Sequence, residues 1–202
     1  MTTVRQQNFL IRKEKILAMA ETLLLDNNQD ITLSELASEL DIAKGTIYKH
    51  FKSKNQLYLE LIILNEKRLL DISKKFNHDI KTYVSQYMLY NMLNSNRTIL
   101  LHVIEERLTN NERKLKDLFE ELYDIREQRI LAIKDLFSDY LKASNSIMSI
   151  RDYLSYIWTV TYGASLLLNS THYQKSIGSR ERLIKLYVNQ ALMTPDKIST
   201  HN

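Results

Sequence analysis

Four lysines, Lys44, Lys49, Lys52 and Lys54, stand in the stretch 44–54 with no acid among them. The chain holds 28 basic and 24 acidic residues, so these four account for its whole formal excess. A positive charge gathered in one place is what a polyanion-binding surface needs. Once Ile47 and Phe51 are assigned to an apolar stripe, Lys44, Thr46, Lys49 and His50 are the polar positions left over. Lys44 and Lys49 can donate to guanine O6 and N7, and Thr46 can touch a thymine methyl or a phosphate. Ser34, on the outward side of a preceding short helix, can reach a base or a phosphate. The plainer alternatives are a Tyr48 hydroxyl that meets only water and a His50 without a partner at the surface.

The elements that must position these groups are legible in residues 32–54. Thr32 and Glu35 have the spacing of a capping box, and Ser53 and Gln56 repeat it. Between them the pattern predicts two short helices, over 33–40 and 44–51. Leu33, Leu36, Ala37 and Leu40 recur at helical spacing on the first. Ile42 lies in the turn, and the small Ala37 lets two helices approach at a steep angle. This is a helix-turn-helix, whose second helix a DNA major groove accepts.

The run Thr32, Leu36-Ala37, Lys44-Gly45-Thr46-Ile47-Tyr48-Lys49-His50-Phe51, then Lys54 and Leu57, resembles the DNA-binding domain of the tetracycline-repressor (TetR) family of transcriptional regulators. The resemblance covers about a quarter of the chain directly. It implies that Thr32, Tyr48, His50 and Lys54 mainly bind phosphates and that Gly45 allows close backbone approach. It also implies a second domain in which a small molecule causes release of DNA. Two positions depart from the family pattern. Asp41 stands where the turn usually holds glycine; Asp tolerates a left-handed conformation better than most residues. Ala43 stands where a hydroxyl residue usually opens the recognition helix, which therefore lacks an N-cap worth about 1 kcal/mol.

At 202 residues, with three Gly and one Pro, the chain reads as all-α. An N-terminal three-helix helix-turn-helix domain (1–54) precedes a larger helical effector-binding and dimerisation domain (55–194) and a flexible tail (195–202). Residues 1–15 hold Arg5, Arg12, Lys13 and Lys15 against Glu14, and the first several read as loose: either an arm able to lie along phosphates or enter a minor groove, or a solvated terminus. Helix 1 runs to about Leu25, and the helix opening at Ser53 connects the halves, reaching about Phe76 with no Pro/Gly-rich linker. Further helices are expected over 79–93, 97–108, 111–142, 149–171 and 178–193, separated by polar interruptions. The acid and base mixture of 112–142 reads as a solvated face. There is no cysteine, hence no disulfide framework. The basic, polar start carries no apolar targeting segment, and the expected location is the cytoplasm. Residues 153–174 have no Asp, Glu, Lys or Arg, but their scattered Ser, Thr and Asn fit a buried helix better than a membrane span.

Two further surfaces are expected. Tyr83, Tyr87 and Met88, with Tyr90 and Met92 on the same helix, His102 on the next, and Trp158 and Tyr162 on the uncharged helix, suit an apolar small molecule held by one or two hydrogen bonds. Ordinary core packing would use the same residues. A two-fold operator needs two recognition helices roughly 34 Å apart, hence a partner subunit. Tyr156, Val160, Gly163, Ala164 and Leu167, with Ile184, Tyr187, Val188 and Ala191, are the candidates for a four-helix dimer interface.

No catalytic constellation is visible: the five histidines are dispersed, and His102 with Glu105 and Glu106 lacks a second pair of metal ligands. No enzyme, cofactor or metal site is expected. The reading is a homodimeric repressor that leaves a palindromic operator when a small hydrophobic effector binds. The alternative is a DNA-binding architectural or adaptor protein whose second domain binds a protein.

Overall fold

The computed structural model describes residues 3–27, 30–109, 113–176 and 178–197. Asn28, Gln29, Asn110, Asn111 and Ile177 of the expected interruptions, and 198–202 of the expected tail, lie outside them. The described residues form helices joined by short turns, with no strand among them. In order they are α1 (Val4–Asn27), α2 (Leu33–Glu39), α3 (Lys44–His50), α4 (Lys54–Lys75), α5 (Ile80–Leu93) and α6 (Ser95–Thr109). A 3-10 turn (Arg113–Leu115) leads into α7 (Lys116–Ala143), followed by α8 (Ile150–Leu168), α9 (Thr171–Ser176) and α10 (Arg180–Lys197).

The chain forms two compact units. The first comprises Met1–Leu64 and Val103–Glu121, the second Asn65–His102 and Leu122–Asn202. In the first, α1, α2 and α3 enclose a core that includes Ile16, Ala20, Leu24, Leu36, Ile47 and Phe51, all nearly or fully buried. Thr32 and Glu35 form the full capping box: the Thr32 hydroxyl accepts from the Glu35 N–H, and the Glu35 carboxylate accepts from the Thr32 N–H at 2.7 Å. At the start of α4 the Ser53 hydroxyl accepts from the Gln56 N–H at 3.1 Å, while the Gln56 side chain accepts from Lys52, one residue earlier than a strict box.

Tyr58, fully buried, ties the helix-turn-helix to α4. Its hydroxyl donates to Asp30 at 2.6 Å and accepts from the Ile31 N–H at 3.1 Å. Burial and the bond to Asp30 raise the phenol well above its ordinary range. Lys54 also binds Asp30, at 2.6 Å, and Arg107 lies 3.9 Å from it. Burial works against the Asp30 charge, but the bonds from Lys54 and Tyr58 outweigh it and hold the carboxyl below its usual value.

In the second unit, α5, α8 and α10 pack on one another. Tyr83, Val84, Met88, Phe137, Tyr153 and Ile157 fill the space between helices. Phe137 meets Tyr83 edge-on at 5.5 Å and Tyr153 at the same distance. The Tyr153 hydroxyl donates to the Ala191 carbonyl at 2.9 Å. Arg180 reaches the carbonyls at the end of α5, 3.3 Å from that of Met92.

Three element boundaries differ from the sequence reading. The loose arm is instead the first turns of α1, which opens at Val4. Thr3 and Gln6 cap it reciprocally: the Gln6 side chain accepts from the Thr3 N–H at 2.8 Å, and the Thr3 hydroxyl from the Gln6 N–H at 3.3 Å. The helix expected over 149–171 stops at Leu168. Asn169 caps it, and α9 starts afresh with the Ser170 hydroxyl accepting from the Tyr173 N–H. Finally, α10 continues past Pro195 to Lys197.

Candidate functional site

Ile47 and Phe51 are fully buried and hold α3 against α1 and α2. The opposite side presents Lys44, Gly45 and Lys49, all exposed, with Tyr48 at 48% and Thr46 half-buried. Ser34 and Thr32 are exposed on the neighbouring α2 and its cap. The Thr32 oxygen accepts from Glu35, which leaves its own O–H able to donate outward. Lys54 is half-exposed with its ammonium on Asp30.

His50 is placed differently from its expected outward position. It is only 9% exposed, because it lies three residues from Ile47 at the border of the apolar stripe and Phe9 of α1 covers it. The two rings stack at 4.1 Å. Its Nδ1 is buried without a hydrogen-bond partner among the described residues. Burial first, then Arg12 and Lys13, lower its proton affinity, so the ring is held neutral. Beside it runs a concave groove of about 510 Å³ lined by Val4, Arg5, Asn8, Phe9, Arg12, Thr46, Lys49 and His50. Three cations and no acid stand among its described lining residues. Arg5 and Arg12, expected on an arm along phosphates, thus stand on helical backbone whose start the Thr3–Gln6 cap fixes.

The sequence-nominated ligand residues divide among three places. Tyr83, Tyr87 and Trp158 line a cavity of about 420 Å³, with Arg129, Ile130, Ile133, Phe137, Leu154, Ser155, Ile157 and Thr159. His102 and Tyr162 join Trp158 in an aromatic cluster. Trp158 and Tyr162 stack at 5.5 Å, and the His102 ring meets Tyr162 edge-on at 4.8 Å. Met88 is fully buried core.

Arg129 was not singled out from sequence, where it belonged to a charge-rich stretch read as solvated. It donates to Glu66 at 2.8 Å, and Arg126 donates to the other oxygen of Glu66 at 3.2 Å. Burial disfavours the Arg129 charge, but Glu66 more than offsets it. The Tyr87 phenol is pushed up to about 12, chiefly by burial. The signal that could have found Arg129 is its four-residue spacing from Ile125 and Ile133, the buried face of α7.

The nominated dimer residues also divide. Ala164, Ile184 and Ala191 are buried inside their own subunit, because α8 and α10 turn those positions toward α5 and each other. Tyr156, Val160, Gly163, Tyr187 and Val188 are partly buried, and Leu167 is exposed. The same two helices expose Leu166, Leu186 and Met193, which the sequence reading passed over. Among the described residues no group of three or more His, Cys, Asp or Glu is placed to hold a metal ion, and no helix is long and apolar enough to cross a membrane.

The capped α2, the turn at Asp41 and the α3 helix with its polar outer face define a helix-turn-helix domain. Residues 16–61 match the family described as bacterial regulatory proteins, tetR family. Over these residues the chain is similar to TetR-family regulators. It is 34% identical over 82 residues to the HTH-type transcriptional regulator QacR of Staphylococcus aureus, a match covering 40% of this chain and 44% of that one. With the HTH-type transcriptional regulator AcrR of Shigella flexneri it shares 31% identity over 88 residues, 42% of this chain and 35% of that one. The matches thus span less than half the length of either relative.

Proposed function

We propose that the chain is a sequence-specific DNA-binding transcriptional regulator of the cytoplasm, a homodimeric repressor that leaves a palindromic operator when a small hydrophobic effector binds its second unit. The observation that carries this reading is the outer face of α3. A helix fixed from behind by Ile47 and Phe51 offers Lys44, Gly45, Tyr48 and Lys49 to solvent beside a groove bearing Arg5 and Arg12. Side-chain donors on a protruding helix read base edges, and flanking cations neutralise phosphates. The two named relatives are transcriptional regulators, which supports the same reading.

The cavity at Tyr83, Tyr87 and Trp158 favours a small-molecule effector over a protein adaptor role, since its volume lies within the ~300–1,000 Å³ of ordinary ligand sites. The switch would be a population shift: the effector binds better to a conformer whose recognition helices are wrongly spaced. Helix α4 passes from the first unit into the second without a break and is the natural carrier. A coupling of about 1–3 kcal/mol is enough.

Selection of bound duplexes from a random pool tests the reading. The expected result is a two-fold sequence with half-sites about 10 base pairs apart or a multiple of that. Recovery of no preferred sequence at low salt would overturn it. Within that assay Lys49→Ala should relax preference at one base position. Lys54→Ala should weaken binding to every sequence and flatten the salt slope by about one unit. Equal loss of discrimination in both variants would remove Lys49 from the base-reading role.

A further inference from the structure

The cavity at Tyr87 has a lopsided chemistry. Arg129 is the one charged side chain among its described lining residues, and Glu66, which pairs with Arg129, is not part of the lining. A ligand therefore meets the guanidinium and not its counter-ion. The remaining polar groups of the lining are the hydroxyls of Tyr83, Tyr87, Ser155 and Thr159, all able to donate. Tyr87 is 8% exposed and is part of the lining. The guanidinium stands 5.8 Å over the Tyr87 ring, so the two donors are neighbours. Around them the wall is apolar and aromatic: Ile133, Phe137, Leu154, Ile157 and Trp158.

Donors gathered near one place and hydrocarbon elsewhere complement an anion with an apolar body. We infer that this cavity binds a hydrophobic organic carboxylate, its head on the Arg129 guanidinium and the Tyr87 hydroxyl and its body against Phe137 and Trp158. A planar guanidinium matches a carboxylate in geometry as well as charge. Glu66 divides its oxygens between Arg126 and Arg129, so within these three residues the charge remains positive before a ligand arrives. A cationic amphiphile would face Arg129 with no lining carboxylate to meet it, and a neutral one would leave the guanidinium without a new partner. This inference names the class of effector and rests on the proposal that the cavity is the effector site.

Trp158 is the single tryptophan of the chain, so its fluorescence reports the cavity directly. The probes are decanoate, decyl phosphate, 1-decanol and decylamine, each below its micelle concentration, titrated into the full-length protein without DNA. Decanoate should bind at least about tenfold more tightly than decanol or decylamine, the usual worth of a charged hydrogen bond. Decyl phosphate should bind more weakly than decanoate; the reverse order would overturn the carboxylate assignment. Arg129→Met should erase the acid preference while decanol binding persists, and Glu66 keeps Arg126 as a partner in that variant. Tyr87→Phe, which removes one oxygen, should weaken decanoate alone by several-fold and serves if Arg129→Met does not fold.

Equal binding of acid, alcohol and amine, or no fluorescence change with any probe, would overturn the inference. Release of operator is measured separately. Selective decanoate binding without release leaves this site assignment standing and sinks the effector role. Release by decanol matching that by decanoate, with equal affinities, does the opposite.

Discussion

His50 carries a cost that depends on pH. Its ring is enclosed by Phe9 and Phe51, with Arg12 and Lys13 close enough to oppose a positive charge and Glu60 only partly compensating. The folded value therefore lies below the ordinary 6.5, and the native state releases a proton that the unfolded chain holds. The contribution of His50 to stability is full above 6.5, declines as pH falls below it, and levels off once pH passes the lowered folded value. Urea unfolding of the native chain and of His50→Gln across about pH 5–8 should show this as an extra slope in the native chain. A constant difference between the two curves would mean that the ring titrates as freely as in a peptide. The same enclosure bears on the expected phosphate contact, because a neutral His50 offers a donor and no charge.

At the scale of elements, α3 is the helix whose start is least secured. Ala43 sits at φ −64° and ψ 137°, the extended backbone of an N-cap, but supplies no side-chain bond to the first turn. Ala43→Ser should add a hydroxyl acceptor beside the first-turn N–H groups, of which that of Thr46 already donates to the Ala43 carbonyl at 2.7 Å, and stabilise the domain by up to about 1 kcal/mol. Hydrogen exchange of the α3 amides and the urea midpoint both read it, and no slowing of exchange in the serine variant would show that the first turn is already satisfied. This gap was visible in the sequence because caps are local. So were Thr32–Glu35 and the left-handed turn at Asp41, which the structure places at φ 50°. The Thr3–Gln6 cap was equally local and equally available, though the basic composition around it pointed toward a loose arm. What a linear pattern hides is the meeting of distant positions. Phe9 on His50 and Arg129 on Glu66 each join residues far apart in the chain; a helical period can mark the buried face that holds Arg129 but not the partner it meets. Arg129 in particular lies among so many acids and bases that its burial could not be read from charge spacing. Likewise Ala164 and Ala191 lay on apolar stripes, but periodicity gives the buried face without saying whether its neighbour is the same chain or another.

For the whole molecule the open question is what covers α8 and α10. Leu166, Leu167, Leu186 and Met193 are exposed on these two helices, an arrangement that an isolated subunit gains nothing from. Gly163 adds a second argument. A methyl group built there would meet no atom within 4 Å in its own subunit, so internal packing does not require glycine at that position. Glycine within a helix nevertheless costs about 1 kcal/mol relative to alanine. A close-approaching helix of a second subunit would explain its presence, since two backbones can then come nearer than side chains allow. Gly163→Ala should move two quantities in opposite directions. Subunit unfolding measured at dilute protein should become harder by about 1 kcal/mol. Dimer dissociation, followed by analytical ultracentrifugation, should become easier, and operator affinity should fall with it because one recognition helix alone holds only a half-site. If the variant gained stability and dimerised as tightly as before, Gly163 would lie off the interface, and the exposed leucines would have to be covered by some other arrangement of α8 and α10.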